Sequence, residues 1–182
     1  MPYAVTLCLD TATNAAVTRL LQGLADAGID DDRLRLGYHA HVTLAVFPDE
    51  APAAAIDAAL CALAPGWSAL PVQLAGFGVF PKERSALFVV PVVTAPLLDW
   101  QAALLRALPT IRCNPHYRPG AWVPHVTLGS TMSPGAALAA LAPLWTGPID
   151  GVFTHAELLR FRPVDILRSI ALAADVSGER QG

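Results

Sequence analysis

His41-Val42-Thr43-Leu44 recurs letter for letter as His125-Val126-Thr127-Leu128. Each copy lies in a run that reads as a β-strand, Ala40 to Phe47 and Trp122 to Ser130. Side chains of a strand alternate between its faces. His and Thr therefore share one face of each strand, and Val and Leu the other. The Val/Leu face requires a core; the His/Thr face is left to line a cleft. Imidazole is the side chain best suited to moving protons near neutral pH. A threonine hydroxyl two residues on can donate to an anionic oxygen. A lone histidine in an apolar strand is usually a structural residue. No packing rule needs the same tetrapeptide twice, so the pair points to a site.

The surrounding chain repeats as well. Tyr3 to Leu9 reads as a strand and Asn14 to Ala27 as a helix, with Val17, Leu20, Leu21 and Leu24 at helical spacing and Gly28 as its stop. Asp30 to Gly37 reads as a polar loop containing Arg33 and Arg35. After the first motif come a helix from Pro52 to Ala64 and a strand from Val72 to Val79. Pro81-Lys82-Glu83-Arg84 is a polar hairpin at mid-chain. The second half follows the same order: a strand from Ala86 to Val93, a helix from Pro96 to Leu108 with Thr94 as its cap, the second motif, a helix from Ser133-Pro134 to about Trp145, and strands around Val152 to Phe161 and Ile166 to Ala173. The motif histidines are 125 − 41 = 84 residues apart, and Pro52 and Pro134, which open the following helices, are 82 apart. This is an internal duplication. Two copies of one unit pack about a pseudo-twofold axis, which would set the two motif strands across a central cleft. The expectation is one domain over 1–182 with two lobes, about 1–80 and about 81–176.

Bulk properties restrict the partners. Of the 182 residues, 54% are hydrophobic and 15% charged, which argues against disorder. Mean hydropathy is +0.45, but the apolar runs are short and broken by Pro, Gly, Asp and Arg. None reaches the roughly 18 residues of a spanning helix, and no membrane partner is expected. Met1-Pro2-Tyr3 has no basic region ahead of an apolar stretch, so no signal peptide is read and a cytoplasmic location is expected. Net charge is −3 and the pI about 5.9, whereas proteins that grip long nucleic acid through its backbone are basic. A small nucleotide or an RNA end fits better than a long duplex. Cys8, Cys61 and Cys113 lack close spacing and read as reduced thiols.

The motif pair and the repeat resemble the 2H (two-histidine) phosphoesterase superfamily, and within it the 2′-5′ RNA ligase-like proteins, or RNA cyclic phosphodiesterases. That superfamily carries His-x-Thr-hydrophobic in each half of a duplicated α/β fold. Further similarities are Pro124 before the second histidine, Phe47 after the first motif, and Phe77-Gly78-Val79-Phe80 leading into the hairpin. The resemblance spans Tyr3 to about Ala173. It implies an α/β (α+β) fold of two lobes, with largely antiparallel sheets around a central cleft and helices outside. It implies metal-independent hydrolysis of 2′,3′-cyclic phosphates of RNA ends or small nucleotides, with no cofactor. In that chemistry His41 and His125 are the catalytic acid and base, and Thr43 and Thr127 hold phosphate oxygens. By analogy with the family, His125 would activate water and His41 would protonate the leaving group. Ligation of RNA ends through a 2′-5′ bond, and a binding module of the same fold without turnover, are the alternatives.

Other polar and aromatic residues are weaker candidates for substrate contact. His39 lies two residues before His41 and reads chiefly as a solvated strand end. His39-x-His41 is also half of a metal site, but no third ligand follows at a matching spacing and no metal is expected. His116 precedes the second motif and either approaches substrate or caps its loop; His155 reads as structural. Arg84, Arg112 and Arg118 are loop cations that would sit near the cleft mouth, where an Arg fork suits phosphate. Tyr38, Phe47 and Trp122 flank the motifs and could stack on a base; core packing explains Phe47 equally well.

Overall fold

The computed structural model describes residues 1–161 and 163–174. Seven strands, β1 (Tyr3–Leu9), β2 (His41–Phe47), β3 (Leu70–Phe80), β4 (Ser85–Pro91), β5 (Val126–Thr131), β6 (Ile149–Arg160) and β7 (Asp165–Ala171), form one sheet. Every pairing in it is antiparallel. The order is β2-β1-β6-β3-β4-β5, with β7 on β6. This order is unchanged when β1, β2 and β3 are exchanged for β4, β5 and β6. The motif strands β2 and β5 are the two ends of it. The sheet's twist nevertheless brings them into contact, and the Trp122 indole N–H donates to the Thr43 carbonyl at 3.0 Å.

Among the described residues, five α-helices pack on the sheet: α1 (Thr11–Asp26), α2 (Asp32–Leu36), α3 (Ala53–Leu63), α4 (Ala95–Ala107) and α5 (Pro134–Leu141). The stripe Thr13, Val17, Leu20 and Leu24 is the buried face of α1. The helix starts three residues ahead of the expected Asn14 because Asp10 caps it. The Asp10 carboxylate accepts from the Thr13 amide at 2.9 Å, the Thr13 hydroxyl at 2.6 Å and the Val152 amide at 2.7 Å. One side chain thus starts α1 and ties it to β6. Gly28 ends the helix in the left-handed region, at φ 67°. Asp30 to Gly37, expected as loop, contains the short α2, which ends on Gly37 at φ 66°. Thr94 precedes α4 without a capping hydrogen bond from its side chain.

The alternation expected of the motifs is present. Val42, Leu44, Val126 and Leu128 are buried in the core with Leu20 and Leu24 of α1 and Ile56 and Leu60 of α3. His41, Thr43 and Thr127 remain half-buried on the other face. Burying each leucine contributes about 1.5–3 kcal/mol, so this alternation holds the strand register firmly. The second motif strand is shorter than expected. Pro124 has no amide hydrogen, the ladder begins at Val126, and Trp122 to His125 lie outside it.

Phe47 is fully buried among the core residues and cannot touch substrate. Phe47→Leu is expected to lower stability by about 1 kcal/mol. Substrate KM should be unchanged, which a denaturant titration beside a turnover assay would check.

Candidate active site

One cavity of about 150 Å³ is lined by His41, Thr43, His125 and Thr127 together, with Arg33, Tyr38 and Tyr117 on its walls. The two histidines are held alike. The Nδ1 of His41 lies 2.8 Å from the His39 carbonyl, and that of His125 lies 2.8 Å from the Val123 carbonyl. A carbonyl only accepts, so Nδ1 carries the hydrogen in both rings. Nε2 is then the nitrogen left to accept or give a proton. This pair of bonds comes from the repeat: each carbonyl belongs to the residue two before its histidine.

The surroundings of the rings differ. The His41 ring packs 4.7 Å from Tyr38, and His125 meets the edges of Phe80 at 5.0 Å and Phe88 at 5.4 Å. Gly78 lets Phe88 reach this position, since a Cβ there would lie 2.2 Å from the Phe88 ring. Burial takes solvation from the imidazolium of His41 and lowers its pKa from 6.5 to about 4, with the nearby Arg33 adding to the effect. His125 is also lowered from 6.5 by burial, opposed by its bond to Val123. Both rings are therefore biased toward the neutral form when no anion is bound.

Two wall residues escaped the sequence reading. Arg33, on α2, acts electrostatically on both histidines. Tyr117 lies in the loop before the second motif and lines the same cavity as Thr43. The available signal was position alone: each lies on the segment leading into a motif strand.

The remaining candidates are dispersed. Tyr38 lines the cavity, but its ring lies against His39 at 4.3 Å and His41 at 4.7 Å, which leaves it poorly placed to stack on a base. Its hydroxyl bonds Thr6 and donates to Glu157, each at 2.8 Å. His39 is not a solvated strand end. Its Nε2 lies 3.0 Å from the Cys8 sulfur and 3.2 Å from a Glu157 oxygen. His116 and Trp122 line a second cavity of about 470 Å³, which adjoins the first at His125 and Tyr117. Arg84 is exposed and donates to the Ser130 carbonyl at 2.9 Å; it lines neither cavity. Arg112 and Arg118 are also absent from both linings. None of the three loop arginines thus lines either cavity. His155 is exposed, beside the Thr154 hydroxyl at 2.9 Å.

An antiparallel α+β fold with two His-x-Thr strands meeting at one cavity defines a two-histidine protein. The sequence pattern of the 2′-5′ RNA ligase superfamily matches residues 10–165, and the chain belongs to that superfamily, the 2H phosphoesterases. Its fold is similar to that of TT0787 of Thermus thermophilus, at 18% identity and TM-score 0.66, over 96% of this chain and 100% of the other. It is also similar to E. coli LigT complexed with NADP+, at 16% identity and TM-score 0.57, over 94% and 96% of the two chains. E. coli LigT complexed with 3′-AMP matches at 15% identity and TM-score 0.53, over 94% and 99%. No protein of curated function matches the chain in sequence. Among the described residues, no helix is long and apolar enough to cross a membrane.

Proposed function

We propose that this protein is a metal-independent phosphodiesterase that opens 2′,3′-cyclic phosphates of RNA ends or small nucleotides. The observation that carries the reading is the cavity bounded by both histidines and both threonines. We take 1–182 as one domain of two lobes, about 1–80 and about 81–176. The strand order supports this; positions 175 and 176 lie outside the described residues.

Opening the ring needs water activated on one side of phosphorus and a proton given to the departing ribose oxygen on the other. The neutral histidine takes a proton from water through Nε2. The new P–O bond forms as the bond to the ribose oxygen breaks, and the protonated histidine supplies that oxygen with its proton. Each transfer contributes roughly 10²–10⁴-fold. By analogy with the family we assign water activation to His125 and protonation of the leaving ribose oxygen to His41. A bound phosphodiester anion raises both pKa values and supplies the protonated state that His41 needs. Thr43 and Thr127 donate to the non-bridging oxygens as their charge grows.

The second cavity, with Trp122, Phe80 and His116 around it, has the aromatic lining to receive a base beside the phosphate. LigT bound to 3′-AMP or NADP+ supports a small nucleotide as ligand. In 2′-5′ ligation a ribose 5′-hydroxyl takes the place of water as the attacking group in the same kind of in-line displacement, so the same acid and base would serve it.

Turnover of 2′,3′-cyclic nucleotides by the purified protein tests the reading. Binding without turnover would make it a nucleotide-binding module. Activity should also survive prolonged EDTA treatment; loss on chelation with recovery on added zinc or manganese would move the chemistry to a metal.

A further inference from the structure

Beside the cleft, and unused by the chemistry above, three different ligand types converge. Cys8 comes from β1, His39 from the segment entering β2, and Glu157 from β6. Cys8 and Glu157 are buried, at 3% and 4% exposure, while His39 is half-buried. The Cys8 sulfur lies 3.0 Å from His39 Nε2, which lies 3.2 Å from Glu157 Oε2, and all three ligand atoms fall within 4.8 Å of one another. The group opens onto a cavity of about 510 Å³.

We propose that Cys8, His39 and Glu157 form a binding site for a zinc-class divalent ion. A tetrahedral zinc with bonds of about 2.3 Å to sulfur and about 2.0–2.2 Å to nitrogen and oxygen sets N–O ligand separations near roughly 3.3 Å and S–N separations near roughly 3.5 Å. The observed His39–Glu157 separation matches. Cys8 and His39 need to open by about 0.5 Å to fit. A thiolate and an imidazole select zinc-class ions over magnesium or calcium, which take oxygen ligands. The open cavity leaves the fourth position to water. An outer shell is already in place: Ser169 donates to Glu157 Oε1 at 2.8 Å and Tyr38 to Oε2 at 2.8 Å. A thiol binds a metal as the thiolate, so binding at Cys8 expels one proton to solvent per ion.

The site adjoins the catalytic group through the His39 peptide, whose carbonyl accepts the Nδ1–H of His41, but it takes no part in turnover.

The experiment is a titration of the full-length, chelator-stripped and dialysed protein with Co²⁺, followed by displacement with Zn²⁺. We expect saturation at one equivalent, a near-ultraviolet thiolate-to-cobalt band with tetrahedral visible bands, and release of one proton. Cys8→Ser and His39→Ala should lose the complex, with affinity reduced about 100-fold or more. Cys61→Ser and Cys113→Ser should keep it. Wild-type protein should also melt at a higher temperature as zinc is added, a readout independent of whether the variants fold. Absence of saturable binding, a thiolate band that survives in folded Cys8→Ser, or a melting temperature indifferent to zinc would each overturn the site. Such a failure leaves the hydrolase reading intact, since that is judged by turnover without metal.

Discussion

Replacing His41 or His125 by alanine is expected to reduce turnover of a 2′,3′-cyclic nucleotide by about 10²–10⁴-fold, with the fold retained. Each imidazole is half-buried at the edge of the cavity, and its removal leaves the Val/Leu face of its strand in the core. The double variant should be little slower than the slower single one, because the two groups act on one transition state. Circular dichroism and melting curves on the same preparations separate lost chemistry from lost structure. Near-normal turnover in either folded single variant would end the assignment.

Thr43→Val and Thr127→Val keep the shape of the side chain and remove the donor. Each should lower the rate by about 10–10³-fold, as for losing one donor to a developing oxyanion. The pH profile makes the test specific. The rate falls on the acid side as the base is protonated and on the alkaline side as the acid loses its proton. The free enzyme governs kcat/KM, and both histidines are depressed below 6.5 there, with His41 near 4. The kcat/KM bell should therefore lie on the acid side of neutrality. The kcat bell should lie at higher pH, because bound phosphate raises both groups. The limbs belong to the coupled pair. The Thr→Val changes should lower the bell and barely move its limbs. A flat wild-type profile from about pH 5 to 9 would exclude rate-limiting proton transfer. Full activity in both threonine variants would leave other polar wall residues, such as Arg33 and Tyr117, to hold the phosphate.

The sequence alone was sufficient for whatever rests on periodicity and repetition. Alternation in two identical tetrapeptides determined which face of β2 and β5 enters the core, because register is tied to burial of Val and Leu. The repeat order marked out the equivalent strands, and the prolines and Gly28 marked helix ends, since these residues restrict or free the backbone locally. Tertiary structure decided what depends on contacts between distant segments. Phe47 and the loop arginines could not be sorted by local pattern: Phe47 is buried in the core cluster, and Arg84 is drawn to the Ser130 carbonyl of a neighbouring strand. Arg33 and Tyr117 reach the cavity only because the sheet twist brings its two end strands together. The depressed pKa of His41 has the same origin, for desolvation is set by everything folded around a ring and not by its neighbours in sequence. His39 is 31 residues from Cys8 and 118 from Glu157 along the chain, yet it meets them at 3.0 and 3.2 Å. Antiparallel pairing of β1 with β2 and β6 creates that convergence, and no spacing in the sequence displays it.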